Sequence, residues 1–416
     1  ASYSRCVRRP PGAVNQDAPM TPSAMPQGLP APAPTLPRSP WPRRWRRAAA
    51  LLALLGGPAV ATTPPGTPAR LAQVLHAAQA QGFAGEVLVA DAEGVWFEQA
   101  VGLARRQPDV AHRPGAVWRW GSVSKQLTVT LALQEVDAGR LRLDDTLAQR
   151  WPAFQAPGAA QITVRHLMQH LSGLAHTDDS PRDADGVGSF YRRQGPPWQP
   201  AALRFCAGPA TAVPGERFRY GDCDTLVLAG LLEHLSGQPM RQLLQQRLAQ
   251  PLGLRSLQLN EGRTRATAIA MDAAGQPVPQ PVMATYGAAG AMEGTARDLL
   301  AFNRAVLAGR VLSAASREAM WTGDPRWGYA GLGVWAFSAP LAGCTEPVAL
   351  VERRGYVGGI QARNIIVPAR GVSAVVFSNQ ADFDFGETWR GQGLSHDLLA
   401  AALCGPAPGT ATPGRP

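Results

Sequence analysis

The 416-residue chain has almost no lysine. Of its 40 basic residues 39 are arginines, and the exception is Lys125, in the segment Gly121-Ser122-Val123-Ser124-Lys125. Arginine keeps its proton up to about pH 12, whereas a buried lysine can lose its proton near neutrality. A sequence that uses arginine for generic positive charge therefore predicts a proton-transfer role for Lys125, with Ser122 as the nucleophile that it activates.

The spacing of these two residues supports that interpretation. At the start of a helix, Ser-x-x-Lys places both side chains on one face, one turn apart. The positive end of the helix dipole favours an alkoxide at Ser122 and is expected to depress the pKa of Lys125.

The chain also lacks an apolar run long enough for a permanent membrane helix. Its longest such run, residues 48–60, has about 13 residues, and a membrane span needs about 20. Basic residues precede the run at 43–47, and Ala59-Val60-Ala61 has the small residues of a cleavage site. Residues 1–61 are therefore predicted to be a leader with a secretory signal peptide, which implies export to the periplasm or secretion.

Within this leader, Met20 or Met25 is a plausible start of translation. Residues 62–68 are predicted to be a linker, and no stable membrane span is expected after cleavage.

The net positive charge is concentrated in the leader. Residues 1–61 hold eight arginines and one acidic residue, a net charge of +7 out of the formal +10 of the whole chain. The rest of the sequence has no basic stripe with interleaved aromatic residues. The composition therefore argues against a nucleic-acid partner.

Cysteine and histidine show no zinc-binding spacing, and the sequence implies no metal and no cofactor. Four cysteines follow the leader, and disulfides persist in an exported chain. Pairing Cys206 with Cys223 and Cys344 with Cys404 is one of three connectivities, and the sequence does not choose between them.

The pattern of apolar residues predicts strands at both ends of one domain, residues 69–404, with a helical subdomain over about 140–300 and a disordered tail over 405–416. Helices are predicted at 69–81, 122–138 and 394–403, and strands at 83–90, 94–101, 332–337, 348–352, 361–367 and 371–377. Such an arrangement indicates an α/β (α+β) fold: a mainly antiparallel sheet flanked by helices and built from both ends of the chain.

Three segments together resemble the serine β-lactamase and penicillin-binding superfamily. They are Trp120-Gly121-Ser122-Val123-Ser124-Lys125, Ile162-Thr163-Val164-Arg165-His166-Leu167-Met168-Gln169-His170-Leu171-Ser172-Gly173-Leu174, and Pro214-Gly215-Glu216-Arg217-Phe218-Arg219-Tyr220. The resemblance runs from about residue 70 to 404 and is closest to class C β-lactamases, D-alanyl-D-alanine carboxypeptidases and related esterases. It implies a β-lactamase/transpeptidase-like fold and an acyl-enzyme mechanism.

The second motif of this superfamily, Tyr-x-Asn, maps onto Tyr220-Gly221-Asp222. A carboxylate only accepts hydrogen bonds, whereas an amide also donates them. If Asp222 faces Lys125, it holds that lysine protonated. This departure therefore favours Tyr220 as the group that takes the proton from Ser122.

The third motif, Lys-Thr-Gly or His-x-Gly, maps onto Arg353-Arg354-Gly355. Gly355 is expected to let a substrate approach the strand closely, and Arg353 or Arg354 to bind a substrate carboxylate. A solvated arginine pair is an equally good interpretation of either arginine. By resemblance, the oxyanion hole is formed by the N–H groups of Ser122 and Tyr356.

The sequence thus predicts an exported, monomeric serine hydrolase with Ser122, Lys125 and Tyr220 as catalytic residues and Asp222 among the substrate-binding residues. Its substrate is an ester, an amide or a D-amino-acid peptide, and the altered motifs argue against an efficient β-lactamase. The alternative is a non-catalytic penicillin-binding-like protein that binds cell-wall fragments. His170 and Ser172 are assigned no catalytic role, and Trp118, Trp120, Trp327 and Trp335 are candidates for lining the cleft that are left unassigned.

Overall fold

The computed structural model describes residues 63–193 and 198–405. The predicted signal peptide and most of the predicted tail lie outside the described residues. The strands are β1 Gly85–Ala90, β2 Val95–Val101, β3 Leu103–Arg105, β4 Val110–Ala111, β5 Trp118–Arg119, β6 Gln258–Leu259, β7 Met292–Gly294, β8 Trp335–Ala339, β9 Val348–Val357, β10 Ile360–Val367 and β11 Val372–Ser378. The helices are α1 Thr67–Ala80, α2 Ser124–Asp137, α3 Leu147–Arg150, α4 Val164–Gln169, α5 Trp198–Cys206, α6 Asp222–Ser236, α7 Met240–Leu244, α8 Gln250–Leu252, α9 Gly287–Gly290, α10 Ala296–Leu307, α11 Ala314–Met320 and α12 Leu394–Leu403.

The main sheet confirms the prediction that both ends of the chain build it. Six strands lie in the order β2-β1-β11-β10-β9-β8. Every neighbouring pair is antiparallel. β1 is inserted between β2 and β11 and is buried along its whole length. A central strand that is buried on both faces has a nearly continuous apolar sequence. This apolar run is why β1 could be predicted from the sequence.

The two faces of the sheet pack against different helices. On one face, apolar side chains of the strands meet α1 and α12, for example Leu71, Leu75 and Leu398. On the other face they meet α2, α10 and the helices between them. α2 is buried on nearly all sides, so its polar residues need partners inside the protein.

A buried amide cluster fixes α2 on the sheet. Asn364 of β10 donates to Gln126 of α2 at 3.0 Å and pairs with Asn303 of α10 at 2.7 and 3.0 Å. Because Gln126 follows Lys125 directly, this cluster also fixes the position of the lysine-bearing turn relative to β9 and β10.

Several element boundaries differ from the predictions, and three of these differences have a local physical cause. α1 begins at Thr67, inside the predicted linker, because Pro68 is compatible with the first turn of a helix. β8 begins at Trp335, after a bend in which the Gly331 N–H donates to the Val334 carbonyl. β9 continues to Val357, five residues beyond the prediction, because paired and buried arginines occupy strand positions that the hydropathy pattern marks as polar.

The intervening region is helical as predicted, but it contributes strands to a small sheet that the sequence did not reveal. β5, β7 and β6 form this sheet. Its strands have two or three residues each, too few for a periodic pattern. The Trp120 N–H donates to the Met292 carbonyl at 2.9 Å, and the Met292 N–H donates to Ser124 Oγ at 3.1 Å. The small sheet therefore places α9 and β7 beside the start of α2.

Two disulfides join cysteines that the sequence left unassigned. Cys206 pairs with Cys223 and Cys344 pairs with Cys404. The first ties the end of α5 to the first turn of α6. Within the described ranges, no helix has the length and apolar character needed to cross a membrane.

Candidate active site

Ser122 lies in a single 3-10 turn, Gly121–Val123, that leads directly into α2. Gly121 has φ +52°, and a Cβ there would lie 2.9 Å from the Tyr356 backbone nitrogen, so only glycine fits. Ser124 Oγ donates to the Gly121 carbonyl at 2.6 Å and closes the turn. The hydroxyl-bearing Ser122 lines a cavity of about 660 Å³.

Lys125 is fully buried beside Ser122 and has three hydrogen-bond acceptors. Its Nζ donates to Ser122 Oγ at 3.0 Å, to Asp222 Oδ1 at 2.6 Å and to the Ala289 carbonyl at 3.0 Å. An ammonium group has three hydrogens to donate. The environment of Lys125 therefore matches the protonated form.

The expectation that the helix dipole depresses the pKa of Lys125 is wrong, because other groups in the site raise this pKa. Burial lowers the pKa of this lysine, but the charge of Asp222, its hydrogen bond and the interaction with Tyr220 together outweigh burial. The net pKa of Lys125 therefore lies above its usual value. A lysine held as a cation stabilises negative charge at Ser122 but does not accept its proton at neutral pH.

Asp222 opens α6, where its carboxylate interacts favourably with the positive end of the helix. Burial raises its pKa, but Lys125 and a hydrogen bond from Tyr191 hold the pKa of this carboxyl below its usual value. Both oxygens are engaged, because Tyr191 Oη lies 2.7 Å from Oδ2. The departure from asparagine thus creates a buried ion pair directly beneath Ser122.

Arg353 connects Ser122 with Tyr220. Its Nε donates to the Ser122 carbonyl at 2.8 Å and its Nη2 donates to the Tyr220 hydroxyl. The guanidinium lies 5.0 Å from the centre of the Tyr220 ring and 4.9 Å from that of Trp335. Lys125 Nζ is 4.9 Å from the same tyrosine ring, so Tyr220 lies between two cations.

Arg353 does not have the surroundings expected of a carboxylate receptor. Only 1% of its surface is exposed, and it is not among the described residues that line the cavity. Its hydrogen bonds to Ser122 and Tyr220 instead indicate that it holds these two residues in place.

Arg354 corrects a second expectation about substrate binding. Successive residues of a strand point to opposite faces. Arg354 Nη2 accordingly contacts Glu352 at 3.1 Å and Glu387 at 2.8 Å, and its guanidinium lies 4.7 Å from the Trp389 ring. Both glutamates neutralise the charge of Arg354 away from the cavity, so Arg354 is not placed to bind a substrate carboxylate.

The structure also corrects the expectation that Gly355 lets a substrate approach the strand. A Cβ at this position would lie 2.2 Å from the Trp120 carbonyl oxygen. Glycine is therefore required because β9 packs against the backbone that precedes Ser122, and not because a substrate approaches the strand there. The same approach brings Tyr356, which is 38% exposed and lines the cavity, next to Gly121.

One wall of the cavity is a loop that the sequence analysis did not single out. His176 Nδ1 accepts from the Asp178 N–H at 3.2 Å, so its Nε2 carries the proton and donates to the Tyr220 carbonyl at 2.5 Å. Thr177 and Tyr191 lie further along this loop and bond to each other at 2.7 Å. Since the loop has no helical or strand period, no sequence pattern pointed to it.

The remaining residues singled out by sequence lie outside the cavity. His170 is buried behind the site. Its Nδ1 lies 3.7 Å from Asp224 Oδ2, and the centre of its ring lies 4.5 Å from the centre of the Tyr220 ring. Trp118 and Trp120 are buried in the core. Across the described part of the chain, no group of three His, Cys, Asp or Glu side chains is arranged to hold a metal ion.

Comparisons with known proteins show the family and the fold of the chain. The beta-lactamase family matches residues 69–396. The chain is 32% identical to "Penicillin-binding protein 4" of Amycolatopsis lactamdurans, over 71% of this chain and 80% of that protein. A D-stereospecific amidohydrolase from Streptomyces sp. has a similar structure, with a TM-score of 0.64 and 25% identity over 82% of this chain and 99% of its own. The D-amino acid amidase of Ochrobactrum anthropi SV3 has the same fold, with a TM-score of 0.67 and 20% identity over 80% and 98% of the two chains.

Proposed function

The chain belongs to the beta-lactamase family and is a serine hydrolase, and we propose that it is an exported enzyme that forms an acyl-enzyme at Ser122 on esters, amides or peptides of D-amino acids. The contact of Lys125 Nζ with Ser122 Oγ at 3.0 Å, on a cavity large enough for a small substrate, is the observation that carries this proposal. The names of the amidohydrolase and the amidase support D-amino-acid derivatives as substrates.

In the proposed acylation, Ser122 Oγ attacks the substrate carbonyl carbon and its proton passes to Tyr220. The cations Lys125 and Arg353 favour a phenolate at Tyr220 through their charge. The oxyanion of the tetrahedral intermediate accepts from the N–H groups of Ser122 and Tyr356. The bond to the leaving group then breaks, and the leaving group takes the proton from Tyr220.

In the proposed deacylation, Tyr220 takes a proton from water, and the resulting hydroxide attacks the ester carbon at Ser122. The Ser122–acyl bond breaks, Oγ recovers its proton from Tyr220, and the carboxylic acid leaves. Lys125 keeps its proton throughout, because Asp222 remains its counter-ion.

Covalent labelling tests this proposal. A fluorophosphonate probe is expected to modify Ser122 in the wild-type protein, and peptide mass spectrometry identifies the modified residue. Ser122→Ala should lose all labelling, whereas Ser338→Ala, at an exposed position of β8, should retain it. A folded wild-type protein that neither reacts with the probe nor hydrolyses p-nitrophenyl acetate would contradict the proposal and favour the non-catalytic alternative.

Export is tested by the N-terminus of the protein in its producing cell. We expect periplasmic or secreted material that begins close to Thr62, as measured by intact-mass spectrometry. Exported protein that still contains Arg43–Arg47 would show that this segment is not a cleaved signal.

A further inference from the structure

We propose that Tyr191 is a positioning residue for the ion pair beneath Ser122. It holds the free oxygen of the Asp222 carboxylate and thereby couples the loop that contains Thr177 to the charge on Lys125. This inference rests on the proposed function for its kinetic consequences, but its structural part can be tested without turnover.

Tyr191 lies in the 3-10 turn Ser189–Arg192, on the wall of the cavity. Its ring stacks on Tyr286, with centres 4.3 Å apart and planes 19° apart, and meets the Phe190 ring edge to face at 5.0 Å. Aromatic contacts on two sides fix the direction in which the hydroxyl points.

The hydroxyl lies 2.7 Å from Asp222 Oδ2 and 2.7 Å from Thr177 Oγ1. Tyrosine has one hydroxyl hydrogen, and an ionised carboxylate only accepts. Tyr191 therefore donates to Asp222, and the Thr177 hydroxyl donates to Tyr191. Burial keeps the pKa of Tyr191 well above its usual value, so the phenol remains a donor over the working pH range.

The result is a directed chain of hydrogen bonds from Thr177 through Tyr191 to Asp222, which also accepts from Lys125. Thr177 is 1% exposed and Tyr191 is 7% exposed, so water does not readily replace either donor. A hydrogen bond from a neutral donor stabilises the ionised carboxylate and lowers its pKa. Without the hydrogen bond from Tyr191, Lys125 is the main group that counteracts the rise in the Asp222 pKa caused by burial.

The other charged and titratable groups near this carboxylate come from two further elements and from the loop itself. Lys125 approaches from α2, and Arg353 lies beyond it on β9 and acts on Lys125 by charge. His176, on the same loop as Tyr191, favours the ionised form of Asp222 through its charge when its imidazole is protonated. Of the groups on this loop that contact Asp222, Tyr191 is the one within hydrogen-bond distance of Oδ2.

The test is the substitution Tyr191→Phe, which keeps the stacked ring and removes the hydroxyl. Activity is expected to need an ionised Asp222 as the counter-ion of Lys125, in addition to the Tyr220 phenolate. We therefore expect the part of the acidic limb that follows protonation of Asp222 to move to higher pH by about half a unit to one unit, and kcat to fall about tenfold with a smaller change in KM. Thr177→Val should shift the limb in the same direction by a smaller amount, and Thr177→Ser should restore the wild-type profile.

A double-substitution cycle separates positioning from a general structural effect. In the Asp222→Asn background, Tyr191→Phe should leave the pH profile unchanged, because the carboxylate on which it acts is absent. An equal shift in both backgrounds, or no shift in the wild-type background, would overturn the proposal.

A readout without turnover keeps this test independent of the enzymatic proposal. The side-chain carbon of Asp222 is followed by 13C NMR during an acid titration, with Asp222→Asn identifying its signal. Tyr191→Phe is expected to raise the titration midpoint, and an unchanged midpoint would refute the role of Tyr191. If the midpoint moves but the wild-type protein does not react at Ser122, the proposed function fails and the positioning role stands.

Discussion

Replacing Lys125 by arginine is expected to lower kcat/KM for an activated ester by about a thousandfold or more. The ammonium points three hydrogens at Ser122 Oγ, Asp222 Oδ1 and the Ala289 carbonyl in a site with no exposed surface. A planar guanidinium is larger and cannot reproduce this arrangement within the same volume. Removing one preorganised donor that stabilises charge at a reacting centre commonly costs about 10²–10³-fold, and here Ser122 and Tyr220 both lose a correctly placed cationic neighbour.

The matched control for this substitution is Lys125→Met, which keeps the approximate length of the side chain and removes the charge. We expect both variants to be inactive, which would show that the position of the charge matters as much as its presence. Fluorophosphonate labelling rates and steady-state hydrolysis measure the loss, and circular dichroism checks the fold. Activity of Lys125→Arg within tenfold of the wild type would mean that Lys125 is not part of the catalytic machinery.

Replacing Asp222 by asparagine is expected to lower the free energy of unfolding by about 3 kcal/mol near pH 7, because it leaves a buried ammonium without its counter-ion. Without the carboxylate, burial dominates and the pKa of Lys125 falls below its usual value. The alkaline limb of the kcat/KM profile should therefore move to lower pH by about one unit or more.

The pH dependence of stability distinguishes this ion pair from other causes of destabilisation. In the wild type, the Lys125 contribution is complete below the ordinary lysine pKa of about 10.4 and is lost as the pH rises through its higher folded value. The Asp222 contribution is present above about pH 3.9 and is lost as the pH falls through its lower folded value.

In Asp222→Asn the unfolded chain binds the additional proton at Lys125, so the stability of this variant should rise with pH toward about pH 10. Urea denaturation at several pH values measures both effects. Asp224→Asn, two residues further along α6, is the matched control and should lack this rise. A variant as stable as the wild type at pH 7, with an unchanged pH–rate profile, would place Asp222 outside the catalytic network.

The disulfides illustrate where the sequence left alternatives open. Four cysteines allow three connectivities. The packing of α5 against α6 brings Cys206 to Cys223. The position of α12 relative to the segment before β9 brings Cys404 to Cys344. Neither contact leaves a pattern in the sequence, because each joins elements that are separate in the chain.

The sequence by itself determined the family, the sheet built from both ends and the pairing of Ser122 with Lys125. These follow from local periodicity and from short motifs, in which residues near one another in the chain share one face of a helix. The sequence also indicated that the protonation state of Lys125 depends on Asp222, since a carboxylate in place of an amide favours a charged lysine beside it.

Only the tertiary structure decided how that charge is held. Lys125 and Asp222 are 97 residues apart, and their contact at 2.6 Å depends on the packing of α2 against α6. Arg353 and Arg354 are adjacent in the sequence, but their side chains lie on opposite faces of β9. Arg353 contacts Tyr220, whereas Arg354 contacts two glutamates. Tyr191 is brought to Asp222 by a loop whose 3-10 turns are too short to leave a periodic pattern in the sequence. Hydrogen bonds and charge pairs between distant segments depend on distances of a few ångströms, which composition and spacing do not encode.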